Sequence, residues 1–284
     1  MASSVTTSIT ENNLTEFKQY LDDPESEIHQ YIGENGITYS YDTQFSVYTY
    51  DPEGTLVNTD GSTLNDSAQS GAGTGMMSGM LTSSNHFEEL MPGMDGTRIS
   101  PTVTDSYDVL YGSWPKAYNE VVLVLNQNNE IAATTLYELG FLPASEYREL
   151  MERLESGEEL SLETQKWSYE EICSQTLYLI PACDFYVENA NGFFDRLDTD
   201  AEIESLLEQA VELKITGVIR PREDAENASI SQTIGYTSAL TEYLIDYTND
   251  SPVVQAQMAS PDVNVLNGAE FSPADDAAKA ADAR

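Results

Sequence analysis

The stretch that decides the fold reads Tyr107-Asp-Val-Leu-Tyr-Gly-Ser-Trp-Pro115 and resumes, after a short bend, as Asn119-Glu-Val-Val-Leu-Val-Leu125. Tyr107–Leu110 and Glu120–Asn126 read as β-strands. In the second, apolar side chains follow one another from Val121 to Leu125, the longest apolar run of the chain. Successive strand residues point to opposite faces, so a run without polar alternation belongs in a sheet covered on both sides. Leu213–Arg220 repeats the signal, and its Gly217 lets a neighbouring backbone approach closely. Helical patterns lie between these strands, which makes the chain a mixed α/β protein of the α+β class.

Upstream, Leu14, Phe17, Tyr20 and Leu21 share one helical face, Pro24 interrupts it, and Ile28, Tyr31 and Ile32 resume it. From Gly36 the pattern changes to period two through Tyr39, Tyr41, Phe45, Val47 and Thr49. Asp51-Pro-Glu-Gly54 supplies a type I turn, and Leu56–Asn58 returns as the partner strand of a hairpin. Thr59–Ser84 is rich in Ser, Gly and Thr. Its Gly71, Gly73 and Gly75 have neither the preceding strand nor the lysine of a phosphate cradle, so a flexible excursion is expected. Met76, Met77 and Met80 sit behind those glycines, with Met91 and Met94 beyond. They read as an adaptable contact surface rather than a soft-metal ligand set.

Downstream, Asn85–Met91 reads as a short helix, and Leu136 and Leu139 sit on another ended by Gly140. Ser145 is expected to cap a helix that turns Tyr147, Leu150, Met151 and Leu154 to the core and ends at Gly157. Ser168 and Glu171 form a capping-box pair before strands at Leu177–Ile180 and Phe185–Val187. Ile203, Leu206, Leu207 and Ala210 mark the next helix, with Asp198 or Thr199 as its cap. Thr237 caps a helix carrying Leu240, Leu244 and Ile245, and Ser251-Pro252 opens a further one. A last helix starts at Ser272-Pro273 and breaks off at Arg284 without a glycine cap, as in a truncated segment.

Composition narrows the function. Twelve Lys and Arg against 49 Asp and Glu leave a formal charge of −37 over 284 residues, a field that repels nucleic-acid phosphates and anionic lipids. No partner of nucleic acid is expected. No stretch approaches the roughly 20 apolar residues of a membrane span, and the start lacks a secretory signal pattern. Cys173 and Cys183 either form a disulfide in an oxidising compartment or lie buried as thiols; their surroundings hold no zinc-ligand pattern. His29 and His86 stand apart from any nucleophile motif. Asp195, Asp198, Asp200 and Glu202 resemble part of a calcium loop but lack its glycine and its terminal glutamate spacing. Acidic pairs are too abundant to single out a glycosidase dyad. The expectation is a protein that is not an enzyme.

The segments Tyr107–Pro115 and Asn119–Leu125 are similar to a stretch of the MacB-like extracytoplasmic domains of FtsX-type ABC transporter permeases. Leu213-Lys-Ile-Thr-Gly-Val-Ile219 resembles a later strand of that family, and Gly235-Tyr-Thr237 the start of the helix that follows it. Tyr20-Leu-Asp-Asp-Pro24 and Tyr31–Ile37 resemble the Gram-positive version, with its Ser/Met-rich insertion. Ser113 stands where the family usually has arginine, so a salt bridge from that arginine is not carried over.

The resemblance implies a two-lobed domain between two transmembrane helices of a permease, on the extracytoplasmic face of a bacterial membrane. Residues 1–32 would be an N-terminal helical stalk, 33–60 with 211–271 a first lobe, 61–99 the flexible insertion, 100–210 an inserted second lobe, and 272–284 the start of a C-terminal stalk. No cofactor is expected here, since ATP would bind a separate subunit or domain. The implied partners are the permease's own transmembrane helices, a second permease protomer, the ATP-binding subunit, and a peptide, drug or protein ligand. The expected contact residues are Met76, Met77, Met80, Tyr107, Tyr111 and Trp114, with Trp114 also readable as core. A secreted or surface module binding carbohydrate or peptide is the alternative, and a hydrolase using carboxylates a further one.

Overall fold

The computed structural model describes residues 14–32, 37, 39, 41, 43–64, 86–93, 96–158, 165–225 and 228–271. Helices α1 (Leu14–Asp22) and α2 (His29–Ile32) come first, then the hairpin β1 (Phe45–Tyr50) and β2 (Leu56–Asn58). The hairpin has the expected turn: the Gly54 N–H donates to the Asp51 carbonyl at 2.9 Å, and Gly54 takes φ +80°, a conformation that glycine adopts without strain. Then follow β3 (Phe87–Glu89), α3 (Pro101–Ser106), β4 (Tyr107–Gly112), β5 (Glu120–Val124), α4 (Ala133–Glu138), α5 (Ala144–Glu155), α6 (Tyr169–Ser174) and β6 (Thr176–Pro181). A 3-10 turn at Ala182–Phe185 leads into the small ribbon β7 (Tyr186–Glu188) and β8 (Phe194–Arg196). The chain continues through α7 (Asp200–Leu207), β9 (Val211–Pro221), β10 (Ile234–Tyr236), α8 (Ser238–Asn249) and α9 (Pro252–Ala259).

Eight strands form one mixed, curled sheet in the order β2-β1-β6-β9-β5-β10-β3, with β4 added to β9. The 11-residue β9 organises it. Its first half, Val211–Lys214, pairs antiparallel with β6, and its second half, Gly217–Pro221, pairs antiparallel with β4. Along its other edge β5 runs parallel.

The apolar run of β5 is buried on both faces, as its lack of alternation requires. Val121 and Leu123 enter the main core with Val47, Leu177, Leu213, Leu240 and Leu244. Val122 enters a second cluster with Leu90, Val103, Tyr107 and Ile219. Two glycines allow this density. A Cβ on Gly217 would stand 2.4 Å from the Ser113 carbonyl oxygen, and one on Gly235 2.7 Å from a Leu90 methyl. Strands from the ranges expected as two lobes are joined in this sheet, because β6 lies between β1 and β9. They also share the main core.

The helix expected at Asn85–Met91 is instead strand β3, parallel to β10. Its two glutamates look helix-like in sequence but serve the sheet edge. Glu88 accepts from the Ser231 N–H, the Ser231 hydroxyl and the Gln232 N–H at 2.7, 2.8 and 3.0 Å, and Glu89 accepts from the Thr241 hydroxyl. Ser145 does not cap α5. The helix starts one residue earlier, where the Ala144 N–H donates to the buried Asp51 carboxylate at 2.8 Å, and Ser145 donates to Glu53. Leu154, expected to face the core, is exposed, one turn beyond where α5 leaves it. The entry into a helix expected at Gly235–Thr237 is present: Gly235 and Tyr236 close β10, Thr237 takes the cap position, and α8 begins at Ser238. Residues 272–284, expected as a stalk, lie outside the described residues.

Candidate functional site

The main core covers one face of the sheet. On the other, at its β1–β6 end, α7 seats Ile203, Leu206 and Leu207 against Tyr48, Ile180 and Phe185. The helix is fixed at its start by a capping box: the Glu202 side chain accepts from the Thr199 backbone N–H at 3.0 Å and from the Thr199 hydroxyl at 2.6 Å. These bonds hold the Glu202 carboxyl below the usual range. Tyr48 lies beneath α7, and burial pushes its phenol up to about 12, so it stays uncharged.

Strand alternation turns Tyr50 and Tyr178 to the same face as Tyr48. Their rings meet edge to face, 5.9 Å apart at 78°, and Tyr50 keeps 42 % of its surface exposed. With Ala201, Glu204, Ser205, Leu207 and Glu208 of α7 and its end, they line an open groove of about 580 Å³. Two tyrosine rings stand on the sheet side and two carboxylates on the helix side. That combination offers π-faces and negative charge, the chemistry that holds a cation.

A second aromatic array lies along α8. Tyr118 stacks on Tyr243 at 4.4 Å and 21°, and Tyr243 on Tyr247 at 5.9 Å and 26°. The Tyr247 hydroxyl donates to Asp184, standing 3.1 Å from each carboxylate oxygen. Burial raises the Asp184 carboxyl and pushes Tyr247 up to about 12. The phenol therefore stays protonated as the donor.

Of the sequence-expected contact residues, Tyr107 and Trp114 come together inside the fold. Tyr107 is only 4 % exposed and accepts from the Ile230 N–H at 2.9 Å. Its ring meets Trp114 edge-on at 6.5 Å, and Trp114 packs against the second core cluster. Tyr111 is exposed and leans on Tyr169 at 6.0 Å. Met76, Met77 and Met80 lie outside the described residues. Cys173 and Cys183 are free thiols, both raised by burial. His86 pairs with Glu138 at 2.7 Å. Among the described residues no group of three or more His, Cys, Asp or Glu is placed to hold a metal ion, and no helix is long and apolar enough to cross a membrane.

Sequence reasoning missed the groove because Tyr50, Tyr178 and α7 are far apart in the chain. The available signal was charge: from Leu197 to Leu213 there are six acidic residues and not one Lys or Arg. Comparison with protein families, with curated proteins and with solved structures finds no match.

Proposed function

We propose that this chain is the extracytoplasmic domain of an FtsX-type ABC transporter permease. It is not itself catalytic, and it relays ATP-driven motion of the membrane helices to the export, release or sensing of a peptide, drug or lipoprotein. One observation carries the reading. The family-like stretches from Tyr107 onward, though distant in the chain, become neighbours: β4 and β5 flank β9, and β10 pairs with β5. An uncovered apolar face on α1 adds support, with Leu14, Phe17 and Tyr20 exposed at 57, 56 and 45 %, as suits a stalk that meets another part of a larger assembly.

The coding frame tests this directly. Apolar segments of about 20 residues are expected on both sides of residues 1–284. A frame that encodes no such segment on either side overturns the reading. The exposed tyrosine arrays favour a second reading, a surface module that binds carbohydrate or peptide through aromatic faces. Saturable binding of a neutral glycan, lost on replacing Tyr243 by alanine, would support it.

A further inference from the structure

We propose that the groove between the sheet and α7 receives an arginine side chain presented by a basic segment of a partner polypeptide. The guanidinium lies against the rings of Tyr50 and Tyr178 and between the carboxylates of Glu204 and Glu208, all of which line the groove.

Arg196 bears on Tyr48 beneath α7, yet no cation is paired with the anionic wall itself among the described residues. Glu204 and Glu208 are four residues apart, one turn of helix, where like charges repel. Glu208 lies at the C-terminal end of α7, whose last turn carries no basic residue. Helix-dipole interactions disfavour an anion there and favour a cation. Neither carboxylate has an ion-pair partner among the described residues. Glu202, by contrast, is occupied by the cap. A cation placed between the two free carboxylates relieves the repulsion and the unfavourable helix end together.

The tyrosines select the kind of cation. A guanidinium is planar and weakly hydrated, so it stacks on a ring face while its N–H groups engage carboxylates; an ammonium is a compact, strongly hydrated charge. Ala201 and Leu207 supply apolar wall for the aliphatic stem. The groove, at about 580 Å³, is larger than one guanidinium, which suits a side chain carried by a peptide backbone. Phosphorylated and other anionic ligands are repelled by the charge of −37.

The test is titration of the full chain with tri-arginine amide and with tri-lysine amide at about 0.15 M salt, where long-range attraction is screened, followed by NMR shift mapping. Tri-arginine is expected to bind saturably, with shifts concentrated at Tyr50, Tyr178, Ala201 and Ser205, and tri-lysine about fivefold more weakly. The double variant Glu204→Gln/Glu208→Gln, shape-preserving at exposed positions, is expected to lose about tenfold in affinity. Tyr50→Ala should lose a similar factor. The matched charge removal Glu149→Gln/Glu152→Gln on α5 should change affinity by less than about twofold.

Equal losses from the α5 and α7 variants, shifts spread over the whole surface, or no saturable binding overturn the proposal. The outcome is separable from the permease reading, which rests on the strand neighbours and the coding frame and not on this groove.

Discussion

Asp51 shows how much one residue fixes. Its carboxylate is 5 % exposed and accepts from the N–H groups of Glu53, Thr55 and Ala144 at 2.9, 2.8 and 2.8 Å. It closes the hairpin turn and starts α5, ninety-three residues away. Asp51→Ala removes the acceptor from three N–H groups, and an unfolding free energy lower by about 3 kcal/mol is expected in urea titration. Asp51→Asn, which keeps one carbonyl oxygen, should cost less. An unchanged midpoint for Asp51→Ala would contradict this role.

Asp184 is governed by its burial. Burial raises its carboxyl above the ordinary 3.8, so the folded state binds this proton more readily than the unfolded one. Its contribution to stability is most favourable at low pH and declines as pH rises through the interval above 3.8. At neutral pH the half-buried carboxylate is a net cost. Asp184→Asn keeps an acceptor for Tyr247 and is expected to raise the thermal midpoint at neutral pH. A lowered midpoint would show that the charge itself is needed. Glu171 and Glu202 are held below the ordinary 4.5, chiefly by bonds from Ser168 and Thr199. Their stabilisation is therefore complete above about 4.5 and is lost as pH falls through the lowered values.

At the scale of elements, the junction of β4 and β9 is the most demanding. Gly112 has φ +69°, and a Cβ there would stand 2.0 Å from the Thr216 carbonyl oxygen. Gly217 answers with its own close approach to Ser113. Gly217→Ala forces two backbones apart in the middle of the sheet, and a loss of about 2–4 kcal/mol is expected. Denaturation indistinguishable from the unsubstituted protein would contradict the register.

This junction was legible in part, because Gly217 inside an apolar strand signals a close backbone. Local grammar was legible too. The Asp51–Gly54 turn, the Ser168/Glu171 cap, a cap at Asp198 or Thr199 and the two-sided burial of β5 each depend on residues within a few positions. What escaped depends on distant partners. Glu88 and Glu89 suggest an exposed helix until Ser231, Gln232 and Thr241 are seen to claim their carboxylates. The groove needs β1, β6 and α7 together, and no local pattern joins Tyr50 to Tyr178.

For the molecule as a whole, the charge of −37 is a standing destabilising force, because compaction gathers like charges. Raising salt from about 10 mM to about 0.15 M shortens the screening length from about 30 Å to about 8 Å. The thermal midpoint is expected to rise, and a fall would mean that specific ion pairs outweigh general repulsion. Among the described residues Arg220–Asp108 is half-buried on its arginine side, while Lys18–Asp22, Arg98–Glu242, Arg153–Glu158 and Arg222–Asp224 each keep substantial side-chain exposure. Such pairs contribute little individually.

Under the proposed function, the same charge would keep the surface away from anionic lipid headgroups. The central claim, that this sheet belongs to a permease and faces away from the cytoplasm, is tested most directly by protease shaving of intact producing cells. The full-length gene product would carry an epitope in the exposed loop between β7 and β8, beside Gly192. The account predicts that the product sediments with membranes and that added protease destroys the epitope without lysis. An epitope that stays protected until the cells are broken, on a product recovered in the cytosol, would contradict it.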